Sequence, residues 1–396
     1  MMGVNPWDQT APMGPKQHGK PAPHQPSAAA HWPTPQAPEP VLAEPETGTL
    51  PVLQRRWVAA LILYLLAPII AEVLTGATPP MDFLNPFPLV FFTAMYGSGA
   101  LLARELVRRR GLGWWSLILL GAAYGALEEG VVVTSWQNPY WPDAAYLHGY
   151  GTVLGVNWYW ALGLTIFHAI VSITLPITLV EAAFPSLAPL PWLGKRTYRL
   201  LWVWLTIASV AGLVSFGFLQ FRDHGYHLPL IGWFLALVVT VALAWVGTHP
   251  LRRIWRTQSD NSNPPVVSRR HAPGLGALRF AGFALTLLFF AAFWGAPHIF
   301  QRPELGALAV IAALAVAIAL VGRWSHRLDW SPRRRLALLS GVALFFAALA
   351  PVIEYYLKPA GKDVSGMTLL AIALVVGLVW LAHSARVAEQ RRLGRR

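Results

Sequence analysis

From Trp57 to the C-terminal tail, the chain alternates long apolar runs with short polar breaks. Each run is close to the ~20 residues a helix needs to cross a bilayer. The runs predict ten transmembrane helices, over 57–76, 86–106, 113–135, 156–182, 198–220, 228–248, 279–298, 304–322, 336–355 and 366–384. A helix satisfies every backbone hydrogen bond within one run, which hydrocarbon demands. The expected fold is therefore all-α, a polytopic helical membrane bundle.

The breaks divide the chain further. Residues 1–54 are rich in Pro, Ala, Gln and His without apolar periodicity, a composition that predicts a disordered tail. The first apolar run begins too late for a signal peptide. A basic, Pro-containing loop over 249–278 separates a six-helix group, 55–248, from a four-helix group, 279–385. A basic tail, 386–396, closes the chain, and no internal repeat is evident.

Charge sharpens this picture. Only 12% of the residues are charged, against about 25% in soluble domains. The net charge of +13 does not point to nucleic acid, because the basic residues cluster between helices. Of 31 Lys and Arg, only Arg222, Arg302, Lys358 and Lys362 fall in the odd-numbered connections. The positive-inside rule makes the other side cytoplasmic, with both termini there, in a plasma membrane protein whose first partner is the lipid bilayer. Cysteine is absent, which excludes disulfides, thiolate metal sites and cysteine nucleophiles.

The candidate chemistry lies in the first four helices. Glu128 and Glu129 stand inside the third, where an ionised side chain costs roughly 2.5–3.5 kcal/mol on the insertion scale. Gly121, Gly125 and Glu129 recur every fourth residue, so Glu129 is expected to face a neighbouring helix, with Glu128 round the helix above Tyr124. Thr165, His168 and Ser172 form one polar stripe on the fourth helix. Glu72 is expected at the same depth. Asp143 and His148 lie in the aromatic connection above, a candidate lid. The small residues Gly97 to Ala100 read as helix-packing contacts, and Glu105 as a solvated or paired rim residue. Glu181 is expected to pair with Lys195 or Arg196. No HExxH motif occurs, and the sequence leaves metal and cofactor open.

A glutamate pair inside one helix, followed by a histidine in the next, resembles the CPBP intramembrane proteases (CAAX proteases and bacteriocin-processing enzymes). The resemblance implies that one glutamate of the Glu128–Glu129 pair activates water, that the other shuttles the proton and that His168 assists, on a membrane-embedded peptide or small-molecule substrate. No arginine follows the pair as in that family, and Leu164 stands where it has Phe. No later helix carries a central histidine with the family's following Asn. The residues themselves also suit a proton- or cation-coupled transporter using Glu72, Glu128 and Glu129, or a non-catalytic scaffold. A carboxylate within about 7 Å of His168 is required for direct or single-water hydrogen bonding.

Overall fold

The computed structural model describes residues 52–249, 271–357 and 362–393. The expected tail over 1–54 falls almost wholly outside them, as do most of the 249–278 loop and the last residues of the 386–396 tail. Ten helices among the described residues are long and apolar enough to cross a membrane. They are α1 (Arg55–Val73), α2 (Pro86–Arg110), α3 (Trp114–Val132), α4 (Trp158–Ala183) and α5 (Lys195–His224). The rest are α6 (Leu230–Thr248), α7 (Leu275–Ile299), α8 (Pro303–Ser325), α9 (Pro332–Leu357) and α10 (Met367–Val387). Each matches one expected helix, with ends shifted by a few residues. The only strands among the described residues are the short hairpin β1 (Thr152–Val153) and β2 (Val156–Asn157), in the connection before α4.

Local chemistry sets the helix ends nearest the site. The Arg108–Arg110 run closes α2, and Gly111 follows at φ +62, the left-handed cap that spares a Cβ clash. Asn157 caps α4 by accepting the Trp160 N–H at 2.9 Å.

Helix α4 is the hub of the bundle. It packs on α1, α2 and α3 on one side and on α8, α9 and α10 on the other. The last four helices are built around α7 against α9, where Gly282 and Gly341 let the backbones touch. A Cβ on Gly282 would run into the Leu338 carbonyl, and one on Gly341 into that of Arg279. Outside the membrane, Asp329 ties the chain entering α7 to the α8–α9 turn. It accepts the Ala272 N–H at 2.8 Å and pairs with Arg334 at 2.8 Å and His271 at 3.2 Å. The Ala272 N–H first, then His271 and Arg334, hold its carboxyl below the usual Asp range.

A buried ionic knot closes the bundle at the arginine-rich end. Arg104 is 1% exposed and Glu105 is fully buried, so Glu105 is paired but is not a rim residue. The Arg104 guanidinium contacts Glu105 at 3.2 Å and Glu181 at 3.0 Å and covers the Trp192 ring. It also donates to the Leu187, Ala188 and Leu190 carbonyls. Glu181 takes Arg104 and Arg108 as partners, with Arg108 bidentate at 3.0 and 2.5 Å, in place of the expected Lys195 or Arg196. The reason is geometric: α2 lies against α4 at this level, whereas residues 195 and 196 start a helix beyond the intervening turn.

Candidate functional site

Four helices bring polar groups to one point, and each does so from a π-helical turn. These turns are Ile69–Val73 in α1, Thr93–Gly97 in α2, Ala126–Val132 in α3 and His168–Thr174 in α4. A π-turn inserts a residue into the helical repeat, re-aims the side chains and frequently marks a functional site. Two further π-turns, in α5 and α9, lie apart from the cluster. Small residues then let the helices close. A Cβ on Gly125 would come within 2.6 Å of the His168 Cβ, and one on Gly121 within 2.9 Å of the Ala169 carbonyl. The Gly121–Gly125–Glu129 face therefore meets α4. On the other flank, Gly99 leaves room for the Tyr124 ring.

Glu128, Glu129 and His168 form the centre, and all three are buried. His168 Nε2 is 3.0 Å from Glu129 Oε1 and 3.3 Å from Glu128 Oε2. One ligand-type atom from each of the three lies within 4.8 Å of the others. Ser172 Oγ is 3.0 Å from His168 Nδ1 and orients the imidazole from behind. Ser135 donates to the second oxygen of Glu129 and itself accepts the Trp160 indole N–H at 3.1 Å. That contact depends on Thr134, whose φ of +56 turns the chain back over the end of α3.

Glu72 joins through Tyr96, the residue just before the small Gly97–Ala100 run of α2. The Tyr96 hydroxyl donates to Glu72 Oε1 at 2.6 Å and lies 3.2 Å from Glu128 Oε1. Thr78 donates to the other Glu72 oxygen at 2.5 Å. The Tyr96 ring stacks on His168 at 5.9 Å, and Tyr124 meets both rings at 5.7 and 6.3 Å. Tyr96, Ser135 and Thr78 were missed. A tyrosine in an apolar run reads as hydrophobic, and the other two lie in turns. The one sequence-level clue to Tyr96 was its place beside Gly97 and Gly99.

Not every candidate reaches the cluster. Asp143 is half exposed and pairs with Lys362 at 3.3 Å. His148 is exposed in the same connection. Thr165 is only half-buried, a turn before the π-turn that turns His168 and Ser172 inward. The connection does fold back over the bundle, but through Trp136, Gln137 and Asn138, which are buried. Gln137 donates to the Gly130 and Gly232 carbonyls at 3.0 and 3.2 Å, locking this cap to α3 and α6.

Depth follows from helix geometry. Glu128 lies 14 residues beyond Trp114 at the arginine-rich end, or roughly 21 Å along α3 at 1.5 Å per residue. The cluster therefore sits toward the opposite end of a ~30 Å hydrocarbon layer.

Fold and site together define a polytopic helical membrane protein with a buried acid–histidine group shared among its first four helices. The chain belongs to an uncharacterized membrane protein family, whose model matches residues 61–393. No curated protein and no solved structure matches it.

Proposed function

We propose that this chain is a membrane-embedded hydrolase or peptidase of the kind its glutamate pair and histidine resemble, the CPBP type. The observation that carries the reading is the contact of His168 Nε2 with both glutamates, at 3.0 and 3.3 Å, far inside the required 7 Å. A carboxylate of the pair takes a proton from water as its oxygen joins the substrate acyl carbon. The proton passes to the leaving group as the acyl bond breaks, and the imidazole donates to the carbonyl oxygen that gains charge. Glu72 and Tyr96 extend the proton path. The arginine-rich end is cytoplasmic by the positive-inside rule, so the site lies toward the outer side and both termini are inside. A substrate segment arriving from the bilayer suits a cluster lying between helices.

The test is hydrolysis of apolar peptides and acyl esters by the purified chain in lipid nanodiscs. Glu128→Gln/Glu129→Gln is expected to lower the rate by about 10²-fold or more, the lower bound for loss of general acid–base catalysis. Full activity in that variant overturns the reading. The Tyr96 bridge between Glu72 and Glu128 favours one other reading, a proton- or cation-coupled transporter. Proteoliposome uptake that follows a pH or ion gradient would establish it, and uptake indifferent to any gradient would exclude it.

A further inference from the structure

We infer that Glu128, Glu129 and His168 bind a divalent first-row metal ion of the zinc type, with one coordination position left open. The inference deepens the hydrolytic reading and rests on it only for what the ion would do: with Nε2 on the ion, the ion in place of the imidazole would polarise the substrate carbonyl. Ligand atoms 2.0–2.1 Å from a tetrahedral zinc ion stand roughly 3.3–3.4 Å apart. The two separations from His168 Nε2, 3.0 and 3.3 Å, are close to that edge length. The three ligand-type atoms lie within 4.8 Å of one another, so drawing the two carboxylate oxygens together by at most about 1.5 Å completes the triangle. Ser172 on Nδ1 supplies the outer hydrogen bond that metal-bound histidines keep, leaving Nε2 to face the ion.

Charge and unmet hydrogen bonds point the same way. Glu72 is satisfied by Tyr96 and Thr78, and the single Tyr96 proton is directed to it at 2.6 Å. Glu128 therefore has no donor of its own: Oε1 only shares Tyr96 at 3.2 Å, and Oε2, though 3.3 Å from His168 Nε2, makes no hydrogen bond. An independent group shows the same deficit. The Tyr124 hydroxyl is buried without a partner and lies within electrostatic reach of Glu128, Glu72 and Glu129. A buried carboxylate without donors is costly in hydrocarbon. Two carboxylates, a neutral imidazole and a divalent cation sum to zero charge. The imidazole selects against Mg²⁺ and Ca²⁺, which take oxygen ligands.

The full chain, purified in nanodiscs without chelator, is assayed by elemental analysis, then stripped and reloaded with Co²⁺ for its ligand-field spectrum. About one ion per chain and the spectrum of a low-coordinate N/O site are expected. Glu128→Gln/Glu129→Gln and His168→Gln should abolish both, while Tyr124→Phe keeps the ion. Ser172→Ala, which leaves every ligand in place, should weaken affinity about 10–100-fold, and it decides the matter if the ligand variants do not fold. Failure of the folded wild type to take up Co²⁺ overturns the inference, as does an ion that persists unchanged in the ligand variants. A chain that binds the ion but hydrolyses nothing would instead overturn the hydrolase. Hydrolysis at full rate by verified ion-free chain would overturn the ion's part in the reaction.

Discussion

At Arg104 a single side chain holds three segments together. Its guanidinium meets two carboxylates, three carbonyls and an indole face, so it joins α2, α4 and the turn before α5. Only a planar, five-donor group can serve partners spread in this way, and a lysine ammonium cannot. Arg104→Met leaves Glu105 buried without that partner, and removing one member of a buried pair typically costs about 3–5 kcal/mol. Arg104→Met is expected to lose stability in that range by denaturant titration in detergent, and Arg104→Lys to recover little of it. An Arg104→Met chain as stable as wild type would show that the knot contributes nothing. Tyr96 makes the complementary point in the site: its hydroxyl, not its ring, is what links Glu72 to Glu128.

At the level of elements, close helix contact through glycine is what positions both halves. Without a hydrophobic force between helices in lipid, association depends on packing, and small residues let backbones approach. Gly125 and Gly121 set α3 on α4 and so bring Glu129 to His168, while Gly282 and Gly341 set α7 on α9. Gly341→Val has no space to occupy, because its Cβ already meets the backbone of α7. It is expected to destabilise by about 1–3 kcal/mol or more, as overpacking does, and to lower the thermal midpoint in detergent. Gly322→Val, at an open position, is the control. Equal effects of the two would refute the packing account. The π-turns belong to this scale too. They are invisible in hydropathy, because a π-turn leaves the apolar content of a helix unchanged.

For the whole molecule, the arrangement in the membrane can be read without background, since the chain contains no cysteine. Arg110 and Asp223 are both exposed, at opposite ends of the bundle. With the arginine-rich end cytoplasmic, Asp223→Cys should react with an impermeant maleimide added to intact cells, and Arg110→Cys only after permeabilisation. The reverse pattern would invert the topology and place the Glu128–Glu129–His168 site toward the cytoplasm.

Hydropathy and charge alone determined the helical membrane class, the number of spans and the glutamate pair with its histidine. The physical reason is that hydrocarbon penalises every unpaired backbone group and every misplaced charge, so span lengths and intramembrane acids stand out along the chain. Only the tertiary structure decided which polar groups meet. Glu181 found Arg104 and Arg108, Tyr96 joined Glu72 to Glu128, Ser135 folded back onto Glu129, and Asp143 and His148 stayed outside. Those pairings depend on helix contacts between distant segments and on π-turns that change the direction of a side chain. Neither leaves a period in the sequence.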